Sequence, residues 1–160
     1  MTLKIKHSTG SIKNIHFLRI PTGEDLVSSI FALCEHAKIN TAVLVSCVGS
    51  LKKATFQWSK YSPETLRKSV RTDPFILDGP IELLSAQGLV GIDTETQEPI
   101  NHFHVTLCDQ EGKTYGGHIT MGGNIVHSTM DVVLLEIDKI NLRTTYDPSV
   151  ELKLIEGFND

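Results

Sequence analysis

The run TAVLVSCVGS at residues 41–50 is apolar and β-branched almost throughout. A segment of that kind makes a strand covered on both faces. It needs neighbours on either side and layers above and below, and the rest of the chain has to supply them. Most of the chain after it is also strand-like. LKKATFQW (51–58) reads as a second strand, returning from a break at Gly49-Ser50. A further strand over about Ile81–Ile92 is entered through a turn at Asp78-Gly79-Pro80. HFHVTLC, DQEG and KTYGGHI read as strand, turn and return strand, GGN (122–124) as another turn, and VVLLEIDKI (132–140) as an apolar strand. NIHFLRI (14–20) supplies a strand upstream.

One segment departs from this pattern. Leu26, Val27, Ile30, Phe31, Leu33, Cys34 and Ala37 recur with the helical period. Thr22 with Asp25 three residues on resembles a capping box at the start of this helix, and Lys38 suits its C-terminal dipole. Residues 59–74 are polar, carry Pro63 and Pro74, and read as an excursion with one short helical turn at Pro63–Lys68. The expected fold class is α+β: a mainly antiparallel sheet of about seven or eight strands, with one main helix and one or two short ones.

At 160 residues, 40% hydrophobic and 21% charged, the chain is expected to form one domain over 1–160 and to bury a core without staples. The net charge of −4 weighs against non-specific binding to a phosphate backbone. MTLKIKHSTG lacks the apolar run of a signal peptide, and no stretch approaches 18 apolar residues, so no membrane association is expected. Cys34, Cys47 and Cys108 are odd in number and lie in apolar contexts, which suits reduced thiols in a cytoplasmic protein. There is no P-loop, dinucleotide fingerprint or serine-centred nucleophile elbow.

The segment NHFHVTLCDQEGKTYGGHI (101–119) holds three of the seven histidines. His102 and His104 share one face of a strand, because alternate residues point the same way. The direction of His118 depends on the hairpin. A three-residue loop, Gln110-Glu111-Gly112, pairs Asp109 with Lys113 and sets His104 directly opposite His118. A four-residue loop pairs Cys108 with Lys113 and turns His118 to the other face. Gly112 stands where a three-residue loop wants a left-handed residue, which favours the first register. Opposed Cβ atoms are roughly 4.5–5.5 Å apart and diagonal ones roughly 7–8 Å, close enough for three imidazoles to reach one cation. Neutral imidazole suits a divalent metal, zinc above all, and three ligands leave a coordination position open. Gly116-Gly117 beside His118 leaves room over the site.

Other candidates near such a site are weaker. Glu82 lies in an apolar strand and reads first as half of a structural salt bridge. His127 reads first as a surface histidine near a turn. Lys60, Arg67, Lys68 and Arg71, diluted by Glu64 and Asp73, read as a solvated loop before a phosphate-binding patch.

Taken in order, Arg19 with PTGEDL, FALCEHAKI, TAVLVSCVGSLKKATF, GPIELLSAQG, HFHVTLCDQEGKTYGGHITMGG and VHSTMDVVLLEI make the chain resemble the plants-and-prokaryotes-conserved (PPC) domain over roughly residues 17–137. The resemblance implies a mainly antiparallel α+β fold and a homotrimer. It also implies a role in binding DNA or a regulatory protein partner, as in the plant members. Those pair the domain with AT-hooks, and no R-G-R-P stretch occurs here, so the chain has no AT-hook. Their contact segment is nearer GRFEIL, where this chain reads GPIELL. The fold is similar to that of acetolactate decarboxylase, whose zinc is held by an H-x-H pair and a third histidine; the matching residues are His102, His104 and His118. That likeness implies the alternative role of a metal-dependent lyase or hydrolase acting on a small oxygenated substrate.

Overall fold

The computed structural model describes residues 5–159; the first four residues of the N-terminal segment lie outside them. The elements run β1 (Ser11–Pro21), α1 (Leu26–Ala37), β2 (Ala42–Gln57), β3 (Ser59–Tyr61), β4 (Ser69–Arg71), β5 (Phe75–Ile92), β6 (Pro99–Cys108), β7 (Thr114–Ile119), β8 (Ile125–Asp138), β9 (Ile140–Asp147) and β10 (Leu152–Asn159). Eight strands form one sheet in the order β1-β8-β2-β7-β6-β5-β9-β10, and β3 with β4 forms a separate ribbon. The named pairings are antiparallel, except for one contact between β5 and β9. The α+β reading with a mainly antiparallel sheet holds.

The apolar run at 41–50 is met by partners on both sides. β2 pairs with β8 along one edge and β5 along the other, and its end pairs with β7. Because β5 pairs β6 and β6 pairs β7, the strands β2, β5, β6 and β7 close into a ring of pairings. Phe56, Leu83, Phe103, Val105, Leu107 and Ile119 are buried in the core. Leu26, Val27, Ile30 and Cys34 of α1 belong to the same apolar cluster.

Two expected turns are instead points where strands pass close together. Gly49-Ser50 does not break the chain: β2 continues from Ala42 to Gln57. A Cβ on Gly49 would lie 2.2 Å from the Thr129 carbonyl oxygen, so the glycine marks a close approach of β8. Asp78-Gly79-Pro80 likewise lies inside β5. A Cβ on Gly79 would meet the Leu51 oxygen at 2.5 Å, beside the irregularity between Leu51 and Lys53. β8 begins at Ile125, ahead of the expected 132. Among the described residues α1 is the one helix, and 63–68 forms turns that join β3 to β4.

The helix cap is Asp25, which accepts from the Ser28 amide. Thr22 cannot serve because its hydroxyl donates to the His127 carbonyl. Asp25 also accepts from the backbone of Asn124 at 2.8 Å. Asn124 is fully buried; its side chain accepts from the Thr55 amide and donates to the Thr120 and Gly122 carbonyls. One buried amide therefore ties the helix start to β2 and to the β7–β8 turn. Lys38 closes the helix in the left-handed conformation, its N–H reaching back to the carbonyls of the last turn.

Glu136 on β8 is 6% exposed and holds β1 in place. It accepts from Lys13 Nζ at 2.7 Å and Asn14 Nδ2 at 2.6 Å, and His16 Nε2 lies 3.4 Å away. The bond from Lys13 is the main reason its carboxyl titrates below the ordinary 4.5. A carboxyl depressed in the folded state adds stability that is complete above its unfolded pKa and is lost as pH falls through the folded value. Glu136→Gln is expected to cost about 1–3 kcal/mol at neutral pH. Urea melts across the acid range should show the difference from the native chain shrinking below pH 4.5.

Candidate metal centre

The β6–β7 hairpin has the three-residue loop. Gly112, at φ 81°, donates its N–H to the Asp109 carbonyl, and the Asp109 N–H donates to the Lys113 carbonyl. The Asp109 carboxylate fastens the loop further, accepting from the Glu111 and Lys113 amides and from Tyr115 Oη at 3.0 Å. In this register His104 faces His118 and Cys108 faces Thr114. Phe103, Val105 and Leu107 fill the core while His102 and His104 point out on the other face.

The three imidazoles converge. Ring centroids are 5.0 Å apart for His102 and His104, 5.4 Å for His102 and His118, and 5.7 Å for His104 and His118. One nitrogen from each lies within 4.8 Å of the others. The Nε2 atoms of His102 and His104 face each other at 3.1 Å. Nitrogens bound about 2.0–2.1 Å from a tetrahedral zinc sit about 3.3 Å apart, so this pair already has a ligand spacing. His118 is half-buried, and its Nδ1 is buried with no hydrogen-bond partner among the described residues. Burial, and then the Arg71 charge, pushes the His118 pKa down to about 4; burial followed by His104 and Arg71 lowers that of His102. Both are therefore neutral near pH 7, the form that binds metal. Donor type, spacing and an unpartnered nitrogen all fit a divalent ion.

His118 is placed by its neighbours on both sides. Across β2 it pairs with Gln57. A Cβ on Gly117 would lie 2.4 Å from the Gln57 carbonyl oxygen, so β7 comes this close to β2 only with glycine there. Gly116 is on the histidine face, where a Cβ would meet only the Val105 oxygen at 3.1 Å.

The remaining candidates do not join the cluster. Glu82 is exposed, sits opposite Cys108, and its side chain makes no salt bridge or hydrogen bond among the described residues. Its place is four residues along β6 from His104, about 13 Å. It lies on the exposed side of the strand, so it needs no partner. His127 is exposed on β8, which pairs with β1 and β2. Arg67 and Arg71, read as solvated loop residues, instead line a cleft of about 680 Å³ with His102, His118, Gln57 and Asn101. Nothing local in the sequence places them there, because it is the tertiary fold that sets Ser59, Ser69 and Arg71 of the β3–β4 ribbon on the same cleft as His118 of β7. Cys34 and Cys47 are buried and free, their thiols pushed up to about 11 and about 12 by burial, and Cys108 is also free. No helix among the described residues is long and apolar enough to cross a membrane.

Fold and site together define an antiparallel-sheet protein with an outward-facing three-histidine cluster. The model of the Plants and Prokaryotes Conserved (PCC) domain matches residues 7–138, and the chain belongs to that family. It is similar in structure to a metal-containing protein from Archaeoglobus fulgidus, at 26% identity and a TM-score of 0.77 over 94% of this chain and 99% of that one. A PPC protein from Pyrococcus horikoshii is 25% identical with a TM-score of 0.75, over 98% and 100%. A candidate DNA-binding protein from Bacteroides thetaiotaomicron shares the fold at 17% identity and a TM-score of 0.71, over 92% and 96%. In sequence the chain is 26% identical over 141 residues to the bifunctional protein GlmU of a Synechococcus strain, covering 88% of this chain and 20% of that protein. The chain thus spans about a fifth of the length of the curated relatives it matches.

Gly117→Ala is expected to force β7 away from β2 and to cost about 1–3 kcal/mol by overpacking. Gly116→Ala should cost less. Denaturant melts of the two variants side by side check the order.

Proposed function

We propose that the chain is a metal-binding homotrimer in which His102, His104 and His118 hold one divalent ion, zinc, beside the 680 Å³ cleft that His102 and His118 line. The convergence of three imidazole nitrogens within 4.8 Å of one another carries this reading. The set contains no carboxylate and no thiolate, and an all-imidazole set suits zinc. A zinc ion there supplies Lewis acidity to whatever occupies the position left open. The protein's part is to hold the rings on a rigid hairpin and to leave the cleft open on one side. The similar protein from Archaeoglobus fulgidus, described as metal-containing, supports the reading.

The trimer rests on an uncovered apolar face. β1 is an edge strand of the sheet. Ile15 and Phe17 stand on it 69% and 65% exposed, with Val45 and Val48 of β2 at 46% and 60%. In register, Ile15 aligns with Leu135 and Val43, and Phe17 with Val133 and Ser46. Apolar patches of this kind mark contact surfaces, and a repeated edge strand suits closed symmetry.

The cleft beside the histidines favours a role in the chemistry or binding of a small oxygenated molecule, as a lyase or hydrolase would need. The alternative, a DNA-binding or regulatory module, has the family's usual description behind it. The net charge of −4 is a poor match to a polyanion. A salt-dependent titration with duplex DNA at low ionic strength separates the two, and tight binding there would favour the module. Three free cysteines suit a cytoplasmic setting.

Protein purified without chelator is expected to carry about one zinc per chain by elemental mass spectrometry, and the His102→Ala/His104→Ala pair to carry none. No metal in the native chain after zinc addition and desalting would refute the site. Sedimentation equilibrium should give three times the chain mass, falling to one for Phe17→Glu. The monomer mass for the native chain at micromolar concentration would refute the trimer.

A further inference from the structure

The cleft beside the histidines is cationic in an acidic chain. Among the described residues its lining includes Arg67, Arg71 and Lys153 and no acidic side chain, against a net charge of −4 for the whole. The three cations differ in what already satisfies them. Lys153 is engaged, with Nζ 2.5 Å from Glu95 and 3.7 Å from Asp93. Arg67 gives one long bond, 3.4 Å, to the Val150 carbonyl. The Arg71 side chain makes no hydrogen bond or ion pair among the described residues.

Arg71 is nevertheless held in place. It ends β4 and pairs with Ser59. The next residue, Thr72, is fastened to the end of β2. Its N–H donates to the Trp58 carbonyl, its hydroxyl accepts from the Trp58 amide, and its carbonyl accepts from Gln57 Nε2 at 2.9 Å. Gln57 is the residue that pairs with His118. The backbone carrying Arg71 is thus anchored to the same strand position as a proposed metal ligand.

One further observation points to an oxygen-bearing ligand, and a second to a ligand with an organic body. Asn101 Nδ2, also on the lining, is a buried donor without a partner among the described residues. A buried donor left unmet is unfavourable, and an acceptor oxygen on a ligand would satisfy it. Ile100, Leu152, Leu154 and Ile155 give the cleft an apolar wall.

We propose that the cleft binds a small organic anion, its carboxylate or phosphate gripped by Arg71 and its body lying on the apolar wall toward the histidines. The guanidinium fork matches either oxyanion in two-bond geometry. Arg67 adds charge behind it. This rests on the reading of the histidines as metal ligands only for the end of the ligand that faces them; the anion grip is a property of Arg71 and the lining.

The test is calorimetric titration of zinc-treated native protein and of Arg71→Gln with lactate, with uncharged lactamide and with inorganic phosphate. Metal content is measured on the same samples. Lactate is expected to bind at least tenfold more tightly than lactamide, and Arg71→Gln to erase that difference with metal content unchanged. Binding of phosphate and not lactate, lost in Arg71→Gln, would support the anion grip and assign it to phosphate. Failure of both anions, or equal binding by Arg71→Gln, would overturn the proposal. A native chain without metal would refute the histidine reading separately. Anion binding to that metal-free chain, lost in Arg71→Gln, would still support the grip, and its absence would overturn it.

Discussion

Gly112 turns the chain in the left-handed conformation at φ 81°, and the pairing of β6 with β7 follows from that turn. With three residues in the loop, His118 lies across from His104, and Ile119 enters the core. One more loop residue would exchange the two: an imidazole would be buried among Phe56 and Leu107, and an isoleucine would stand in the cleft. Side-chain period in a strand is two, so no intermediate arrangement exists. The Asp109 carboxylate, bound to two amides and the Tyr115 hydroxyl, holds the loop in its one workable form.

The ring of pairings through β2, β5, β6 and β7 makes this hairpin rigid. Its interior is filled by large apolar side chains from all four strands, so the outward face inherits their order. Glycines stand where backbones come too close for a Cβ: Gly49 against β8, Gly79 and Gly117 against β2. His118 is positioned as a consequence of that closeness. Its neighbour Gly117 lets β7 seat on β2, and the shared desolvation keeps the ring neutral.

The face opposite the core is of two kinds. Around β6, β7 and the β3–β4 ribbon it is polar and cationic, with nitrogens on His118 and Asn101 that have no partner among the described residues. Around β1, β8 and β2 it is apolar and uncovered. A ligand suits the first and copies of the chain suit the second.

Much of this was legible in the residues themselves. Helix α1, the hairpin register and the three-histidine face follow from local rules: a 3.6-residue period, a glycine at one loop position, and strand alternation. What misled was also local. Gly49-Ser50 and Asp78-Gly79-Pro80 look like turns, because glycine and proline usually punctuate; here they let long strands cross. Arg71 read first as part of a solvated loop, since its charge is diluted by Glu64 and Asp73 along the chain and is set beside His118 only when Gln57 ties Thr72 down. The chain by itself thus determined which face the histidines share, because alternation along one hairpin needs no distant partner. Only the tertiary structure decided which charges stand beside them, because that depends on segments brought together from far apart in sequence by the closing of the sheet.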